Sequence, residues 1–250
     1  MSVGVVYVIM RSPGGRYLNE VISSVDSLKR HNPRISIQLV TDKDSNIIEH
    51  PLFDTVTIVD SGPSKELVLR AKIDALSLAN YDTNLFLDSD TYICGDIRPL
   101  FELAKHYDLA MAYAPRRRDP EWSPPDMDIP PWLPEFNSGV ILMCKSNRTA
   151  RFLTEWRQLY IEYAKWNDQM ALRVALFHGL DYGLKIYPLP PEYNCRTLCM
   201  AQLGDKAYIL HGRGDMHKIA SQINSGNGIR MYIPDIGLFR RKDWKHVKSR

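Results

Sequence analysis

Two carboxylates stand two residues apart in the sequence, at Asp88 and Asp90. They follow the mostly apolar run 84–87, which is bounded by polar residues and predicts a short buried strand. Because side chains alternate along a strand, both carboxylates are expected to leave on the same side. Paired carboxylates behind a buried strand suit Mg²⁺ or Mn²⁺, which can bridge phosphate oxygens of a substrate. The alternative is a solvated turn, since Asp-x-Asp arises often by chance.

His211 and Lys72 are two further residues that could join this pair. His211 follows the apolar run 208–210 and precedes glycines, so it could complete a metal site or only form a turn. Lys72 lies on a predicted helix just before the acidic strand, from which its ammonium could reach a phosphate. Both residues therefore fit a site that holds a metal ion and a phosphate group.

Two short polar segments are also candidates. Residues 137–139, Asn-Ser-Gly, lead into the apolar run 140–143 and offer short hydrogen-bonding side chains with a glycine that permits close backbone approach. Residues 167–169, Asn-Asp-Gln, begin a predicted helix. Ligands of open α/β sheets bind where the strands end, which favours a functional role. An ordinary turn and a helix cap are the respective alternatives.

Strand-like and helix-like segments alternate along the chain, which predicts an α/β fold with a mostly parallel central sheet flanked by helices. The 250 residues, 44% of them apolar, can bury the core of one such domain. We expect this domain to cover residues 1–239 and a basic tail to follow at 240–250. The predicted strands are Gly4–Met10, Ile35–Thr41, Thr55–Asp60, Asn84–Asp88, Leu109–Ala114, Gly139–Cys144, Leu184–Leu189 and Ala207–His211. The predicted helices are Gly15–His31, Glu66–Ala79, Arg148–Trp166 and Asp168–His178.

Residues 115–136 interrupt this alternation, because seven prolines there disfavour both helix and strand pairing. A loop of this length inside a compact domain is often functional. It carries Trp122 and Trp132, whose rings could stack on a sugar or another acceptor. We expect a flap that is mobile without ligand and approaches the binding cleft; a surface excursion without a role is the alternative.

The cysteines and the apolar segments exclude several classes of protein. The four cysteines include no Cys-x-x-Cys pair, so we expect free thiols in a reducing cytosol rather than disulfides or a zinc site. The apolar run 3–10 is too short to span a membrane and lacks a basic segment before it. We therefore expect neither a transmembrane segment nor a signal peptide.

Positive charge is concentrated in the tail 240–250, which holds six Lys or Arg residues and one Asp, in a chain with a net charge of +3. Because no basic stripe crosses the folded part, nucleic-acid binding is not expected. We expect a cytoplasmic protein. The tail either frays into solvent or makes weak contact with the anionic inner face of a membrane.

Together these motifs resemble those of the glycogenin-like family of GT-A fold glycosyltransferases, which includes bacterial lipopolysaccharide galactosyltransferases. The densest agreement runs from Lys72 to Phe101, where the Lys stands sixteen residues before the first Asp of an Asp-x-Asp-Thr motif. The segments 136–140 and 168–169 match later family motifs in order and spacing. Tyr17 is similar to a Tyr that packs beside the nucleotide. The resemblance covers most of the chain.

The resemblance implies a single domain with the GT-A (Rossmann-like) fold that moves a hexosyl group from a nucleotide-diphosphate sugar, a UDP-sugar, to a hydroxyl of a saccharide or other acceptor. It also implies Mn²⁺ or Mg²⁺ as cofactor and retention of configuration. The implied metal ligands are Asp88, Asp90 and His211. The implied contacts to the donor nucleotide are Tyr17, Lys72 and Ser89, and Lys218 is a further candidate for such a contact. The implied catalytic and sugar-binding residues are Asn137, Asp168 and Gln169.

One family motif is missing from this chain. The family often places Lys-Pro-Trp six residues after its metal-binding His, whereas here His217 occupies that position, Lys218 follows it, and no Pro-Trp is present. The phosphate-capping cation is therefore not assigned by the resemblance. Arg213 or Lys218 could supply it instead.

Other activities use the same residue types. The segment 88–91 also resembles the first motif of haloacid-dehalogenase-like phosphatases, in which Asp88 would attack phosphate. That motif normally closes the first strand of its fold, but about three predicted strands precede it here. A nucleotidyltransferase would need a Gly-rich, Arg-containing loop after the first strand, which residues 11–16 match only in part. A nucleotide-sugar binding protein without turnover is the non-enzymatic alternative.

Overall fold

The structure is a computed structural model that describes residues 1–10, 15–45, 47, 50–60, 65–115, 129–163, 168–226 and 228–240, with the backbone alone for 65–69, 239 and 240. Its strands are β1 (Val3–Ile9), β2 (Ser36–Asp42), β3 (Thr55–Val59), β4 (Thr83–Leu87), β5 (Thr91–Ile93), β6 (Leu109–Tyr113), β7 (Phe136–Cys144), β8 (Ile186–Leu189), β9 (Cys195–Arg196), β10 (Ala201–Leu203), β11 (Ile209–His211), β12 (Arg230–Ile233) and β13 (Gly237–Arg240). Its α-helices are α1 (Arg16–His31), α2 (Lys65–Ser77), α3 (Asn147–Tyr163), α4 (Asp168–Gly179) and α5 (Met216–Ile223).

Seven strands form the central sheet, in the order β3-β2-β1-β4-β7-β6-β8. All neighbouring pairs are parallel except those of β7, which runs antiparallel to β4 and β6. The near-continuous apolar sequence of β1 and β4 suits strands that are covered on both faces. The predicted α/β fold with a mostly parallel sheet is thus confirmed, and β7 is its antiparallel member.

Helices cover both faces of this sheet. One face packs with α1 in a core that includes Val25, Leu28 and Leu85, and the other packs with α3 and α4 in a core built around Phe152 and Trp156. The four predicted helices are confirmed to within about three residues at their described ends, a normal uncertainty for helix termini. The predicted extension of the third helix to residue 166 lies outside the described residues.

Two three-stranded sheets, β5-β11-β9 and β10-β12-β13, lie beside the central sheet. Apart from β11, the sequence analysis did not predict their strands, because two to four residues carry too little periodicity to be recognised. The strand predicted at Ala207–His211 begins only at Ile209 and belongs to the first small sheet. Arg230 is fully buried and donates hydrogen bonds to the carbonyl oxygens of Ile223, Gly228 and Asp205, which fixes the second small sheet. β13 ends at Arg240, the first residue of the predicted tail.

The proline-rich segment connects β6 to β7. Residues 116–128, including Trp122, lie outside the described residues, so the predicted mobility of this segment stays a prediction. Its two ends meet, because the amide of Ala114 donates to the carbonyl of Glu135 at 2.9 Å. Buried Arg173 on α4 donates to the carbonyl of Leu133 at 2.9 Å, and Trp132 stays 67% exposed. Both ends of the segment are therefore fixed to the folded body.

All four cysteines are free thiols, as predicted: Cys94, Cys144, Cys195 and Cys199. Among the described residues, no helix combines the length and apolarity that a membrane crossing requires. The predicted contact of the tail with a membrane concerns residues 240–250, of which the structure describes only the backbone of the first.

A buried chain of hydroxyl groups links β1 and α1 to the turn that follows β4. Tyr7 Oη lies 2.8 Å from Ser24 Oγ, which lies 2.8 Å from Thr91 Oγ1, and Thr91 donates to the carbonyl of Asp88 at 2.9 Å. Since each hydroxyl has one proton, the direction is fixed: Tyr7 donates to Ser24, and Ser24 donates to Thr91. Burial raises the pKa of Tyr7 despite these two neighbours, so the phenol keeps its proton. This chain holds the turn from 88 to 91 in place.

Ser24→Ala should destabilise the fold by about 1–3 kcal/mol, because it leaves the buried hydroxyl of Tyr7 without an acceptor. Adding Tyr7→Phe should recover part of that loss, so the double variant should lose less than the sum of the two single variants. Urea unfolding of the four proteins measures this coupling, with exposed Ser221→Ala on α5 as the control. Strictly additive losses would contradict the network.

Candidate active site

A cavity of about 580 Å³ opens at the carboxyl ends of β1 and β4. Because β7 is antiparallel to β4, its first residues lie at this same edge of the sheet. The cavity thus lies where open α/β sheets bind ligands. Except for Lys218, the site residues predicted from the sequence all line it: Tyr17, Lys72, Asp88, Ser89, Asp90, Asn137, Asp168, Gln169 and His211.

Asp88, Asp90 and His211 form a cluster in which one potential ligand atom from each residue lies within 4.8 Å of the others. His211 Nε2 is 3.6 Å from Asp88 Oδ2 and 3.3 Å from Asp90 Oδ1. The antiparallel register of β11 and β5 pairs His211 with Thr91, which brings the imidazole to the acidic turn. Two carboxylates and one buried imidazole are a donor set that fits Mn²⁺, and Mg²⁺ less well because of the nitrogen.

Asn194 orients the imidazole from behind. Its Oδ1 lies 2.9 Å from His211 Nδ1, while Nε2 faces the two carboxylates, so Asn194 fixes which nitrogen of the ring is directed to the cluster. Asn194 Nδ2 in turn donates to Asn137 Oδ1 at 2.9 Å, and Asn137 Nδ2 donates to Gln169 Oε1 at 2.8 Å. The metal-ligand cluster and the predicted sugar-binding amides therefore form one hydrogen-bonded network.

Gly139 leaves the space that this cluster needs. A Cβ at this position would overlap the Cε1 atom of His211 and lie 2.7 Å from Asp88 Oδ2. The amide of Gly139 is held by Asn137 Oδ1 at 3.0 Å, and its carbonyl accepts from the amide of Asp88 at 2.8 Å. Any side chain here would push either the imidazole or the carboxylate out of position.

Lys72 lies between two carboxylates on the floor of the cavity. Its Nζ is 3.1 Å from Asp88 Oδ1 and 3.3 Å from Asp168 Oδ2, and it donates to Ser138 Oγ at 3.2 Å. Burial alone would lower the pKa of Lys72, but the charges of Asp168 and Asp88 outweigh it and raise the pKa. Lys72 is therefore a permanent cation in the cavity.

Asp168 is the first residue of α4, and its carboxylate is largely buried. Among the described residues, its Oδ2 accepts no hydrogen bond of good geometry, and its charge is met by the Lys72 ammonium alone. The backbone carbonyl of Asp168 accepts from the indole of Trp156 at 3.0 Å, which fixes the start of the helix. The Asp168 carboxylate is therefore held in a fixed position beside the Lys72 ammonium.

The acidic turn is also bordered by arginines. Burial would raise the pKa of Asp90, but the hydrogen bond and charge of His211, together with Arg213 and Arg196, lower it to about 2. Arg213 Nε donates to Glu20 Oε1 at 2.8 Å, and Ser89 Oγ donates to Glu20 Oε2 at 2.9 Å. Asp90 is therefore ionised throughout the physiological pH range, as a metal ligand must be.

Lys218 lies apart from this arrangement, exposed on the first turn of α5. Its amide is capped by Asp215 Oδ1 at 3.0 Å, so the helix turns away directly after the cavity-lining Arg213. The proposed nucleotide contact of Lys218 stays a prediction, and Arg213, the alternative cation, is the one that lines the cavity. Sequence reasoning missed Glu20, Asn194 and Arg196, which belong to no recognised motif and enter the site only through tertiary contacts.

A family model for nucleotide-diphospho-sugar transferases matches residues 64–220, which include every predicted site residue except Tyr17. No curated protein sequence matches the chain at a significant level. Among solved structures, mouse xyloside xylosyltransferase 1 in its apo form is similar with a TM-score of 0.59 and 16% identity, over 85% of this chain and 98% of that one.

The galactosyltransferase LgtC, in complex with donor and acceptor sugar analogues, is similar with a TM-score of 0.58 and 13% identity, over 85% of this chain and 87% of that one. The glycosyltransferase GlyE of Streptococcus pneumoniae TIGR4 has a TM-score of 0.56 and 20% identity, over 86% of this chain and 55% of that one. At these identities the similarity establishes the fold, which is GT-A. Since the family model covers more than half of the sequence, the chain belongs to the nucleotide-diphospho-sugar transferase family and is a glycosyltransferase.

Proposed function

We propose that this protein transfers a hexosyl group from a UDP-sugar to an acceptor hydroxyl, with Mn²⁺ or Mg²⁺ as cofactor and with retention of configuration. The observation that carries the proposal is the placement of two groups in one cavity: the cluster of Asp88, Asp90 and His211, and the carboxylate of Asp168. The ammonium of Lys72 is paired with a carboxylate of each group. One end of the cavity suits a diphosphate, and the other suits the sugar attached to it.

The diphosphate end is built to stabilise a leaving group. Departure of a nucleoside diphosphate develops negative charge on its phosphate oxygens, and fixed cations stabilise that charge where it appears. A divalent ion held by Asp88, Asp90 and His211 would supply most of this stabilisation. Lys72 and Arg213 add permanent positive charge on either side of the cluster. Tyr17 and Ser89, which line the same region, would contact the nucleotide.

The sugar end carries Asn137, Asp168 and Gln169. Asn137 and Gln169 are hydrogen-bonded to each other, so their remaining donors and acceptors are held in fixed directions for sugar hydroxyls. The carboxylate of Asp168, which is paired with Lys72, would face the anomeric carbon and stabilise positive charge there as the diphosphate leaves. Retention follows if the new bond forms on the face that the leaving group vacates. We assign residues 1–239 to this domain and 240–250 to the tail.

The fold and family argue against the rival activities. The chain belongs to the nucleotide-diphospho-sugar transferase family, and its acidic turn follows β4. A haloacid-dehalogenase-like phosphatase would carry this motif after the first strand of its fold. A binding protein without turnover would bind the nucleotide sugar and release no nucleoside diphosphate. Screening nucleotide sugars for nucleoside diphosphate release, with Mn²⁺, Mg²⁺ or EDTA, therefore tests the proposal, and product anomers read by NMR test retention.

Asp90→Asn should lower donor turnover and the Mn²⁺-dependent part of UDP affinity by about 100-fold or more, because it removes one of three ligands. Calorimetric titration of the protein with UDP, once in the presence of Mn²⁺ and once in the presence of EDTA, separates the metal-dependent part of the UDP affinity from the metal-independent part. Asp26→Asn, an equal charge change at an exposed position of α1, is the control. If UDP binds wild type and Asp90→Asn equally in Mn²⁺ and in EDTA, the metal assignment is wrong.

Gly139→Ala should weaken Mn²⁺ binding by about tenfold or more, because the added methyl displaces His211 or Asp88. It should also destabilise the fold by about 1–3 kcal/mol through overpacking. Gly204→Ala is the matched control, since a Cβ there has its nearest neighbour, Glu192 Oε1, at 3.7 Å. Unchanged Mn²⁺ affinity in Gly139→Ala would show that the cluster is not the metal site.

Asp168→Asn should reduce kcat for the preferred donor by about 100-fold or more and change donor affinity little, because the carboxylate acts on charge that exists only in the transition state. Single-turnover rates and equilibrium donor binding measure the two effects separately. Asp181→Asn, exposed after the end of α4, is the control. A single-turnover rate close to wild type in Asp168→Asn would show that Asp168 has no catalytic role and serves only as the first residue of α4.

A further inference from the structure

Arg196 stands apart from the other cations of the cavity. Lys72 faces Asp88 and Asp168, and Arg213 faces Glu20, so these two charges are already matched. Arg196 has no ion pair with a carboxylate among the described residues. Its Nη1 lies against the His211 ring instead, 2.7 Å from Nε2 and 3.0 Å from Nδ1.

The position of this guanidinium conflicts with a metal ion. Nε2 is the imidazole nitrogen that faces both carboxylates of the cluster, and it is the atom that would bind the ion. A divalent cation bound to this nitrogen would lie close to the Arg196 guanidinium, and the two positive charges would repel each other. In the structure, the internal cation therefore opposes the metal ion by its charge.

The backbone of Arg196 is fixed, but its side chain can reach a second position in the cavity. β9 pairs in parallel with β11 in a register that sets Arg196 beside His211. The side chain is half-buried and lines the cavity, and its planar guanidinium is suited to bidentate contact with phosphate. A rotation about its side-chain bonds would take it from the imidazole to an anion in the cavity.

We propose that Arg196 is a positioning residue that couples metal binding to donor binding. Without nucleotide it lies against the His211 ring and opposes the ion by charge repulsion. When a nucleoside diphosphate is present, Arg196 transfers to the phosphate oxygens, and its charge no longer opposes the ion at Nε2 of His211. The inference rests on the proposed function, and it predicts positive coupling between the ion and the nucleotide, to which Arg196 contributes.

Arg196→Gln removes the charge and keeps a polar side chain. Without nucleotide it should bind Mn²⁺ about tenfold more tightly than wild type, and at saturating Mn²⁺ it should bind UDP about tenfold more weakly. The ratio of Mn²⁺ dissociation constants without and with UDP should fall accordingly. The free Mn²⁺ signal in electron paramagnetic resonance and calorimetric titration of UDP give these constants on the full chain.

Two further variants make the result specific. Arg98→Gln removes an arginine that pairs with Asp96 on the surface, outside the cavity, and should leave all constants at wild-type values. Arg196→Lys keeps the charge and should retain weak Mn²⁺ binding in the absence of nucleotide. A gain in metal affinity cannot come from a damaged fold, so the readout separates positioning from structural support.

Equal Mn²⁺ affinity of wild type and Arg196→Gln, or an unchanged ratio between the constants without and with UDP, would overturn this inference. Wild-type protein that still binds Mn²⁺ with UDP and releases UDP from a donor would then keep the proposed function intact. Failure of wild type to bind Mn²⁺ both with and without UDP would instead refute the proposed function and the coupling together.

Discussion

The antiparallel pairing of β5 with β11 is the interaction on which the site depends. It sets His211 opposite Thr91, so one backbone register decides whether an imidazole meets the two carboxylates of the acidic turn. Thr91 is itself held by the hydroxyl chain from Tyr7, and β9 adds Arg196 on the other side of β11. A shift of one residue would turn the imidazole to the opposite face of this small sheet.

Electrostatic balance is the second constraint on this cavity. Lys72 is paired with Asp88 and Asp168, and Arg213 with Glu20, before any substrate arrives, so these charges are not buried alone. A diphosphate donor must exchange these internal pairs for its own contacts. The binding free energy then depends on the difference in free energy between the internal ion pairs that are lost and the protein–donor contacts that form. Affinity is highest when the protein must rearrange least.

Most of the central sheet could be predicted from the sequence, because β1, β4 and β7 are buried apolar runs ended by polar residues. The site residues could be predicted where they stand at those ends. Arg196 and Asn194 could not, since a two-residue strand has no periodicity and its neighbours are chosen by tertiary pairing. Lys218 was a candidate because it stands next to the position where the family places a Lys after its metal-binding His, but α5 begins between His211 and Lys218 and changes the chain direction.

The hydrogen bond from the Ala114 amide to the Glu135 carbonyl has a consequence for how this enzyme can diversify. It closes the base of the proline-rich segment at the rim of the cavity, where Ala114, Pro115 and Glu135 all line the wall. With both ends fixed, doubling the length of the enclosed segment would cost only about 0.6 kcal/mol in closure entropy. The length and sequence of this insert can therefore change at little cost in closure entropy, while the described residues that line the cavity keep their positions.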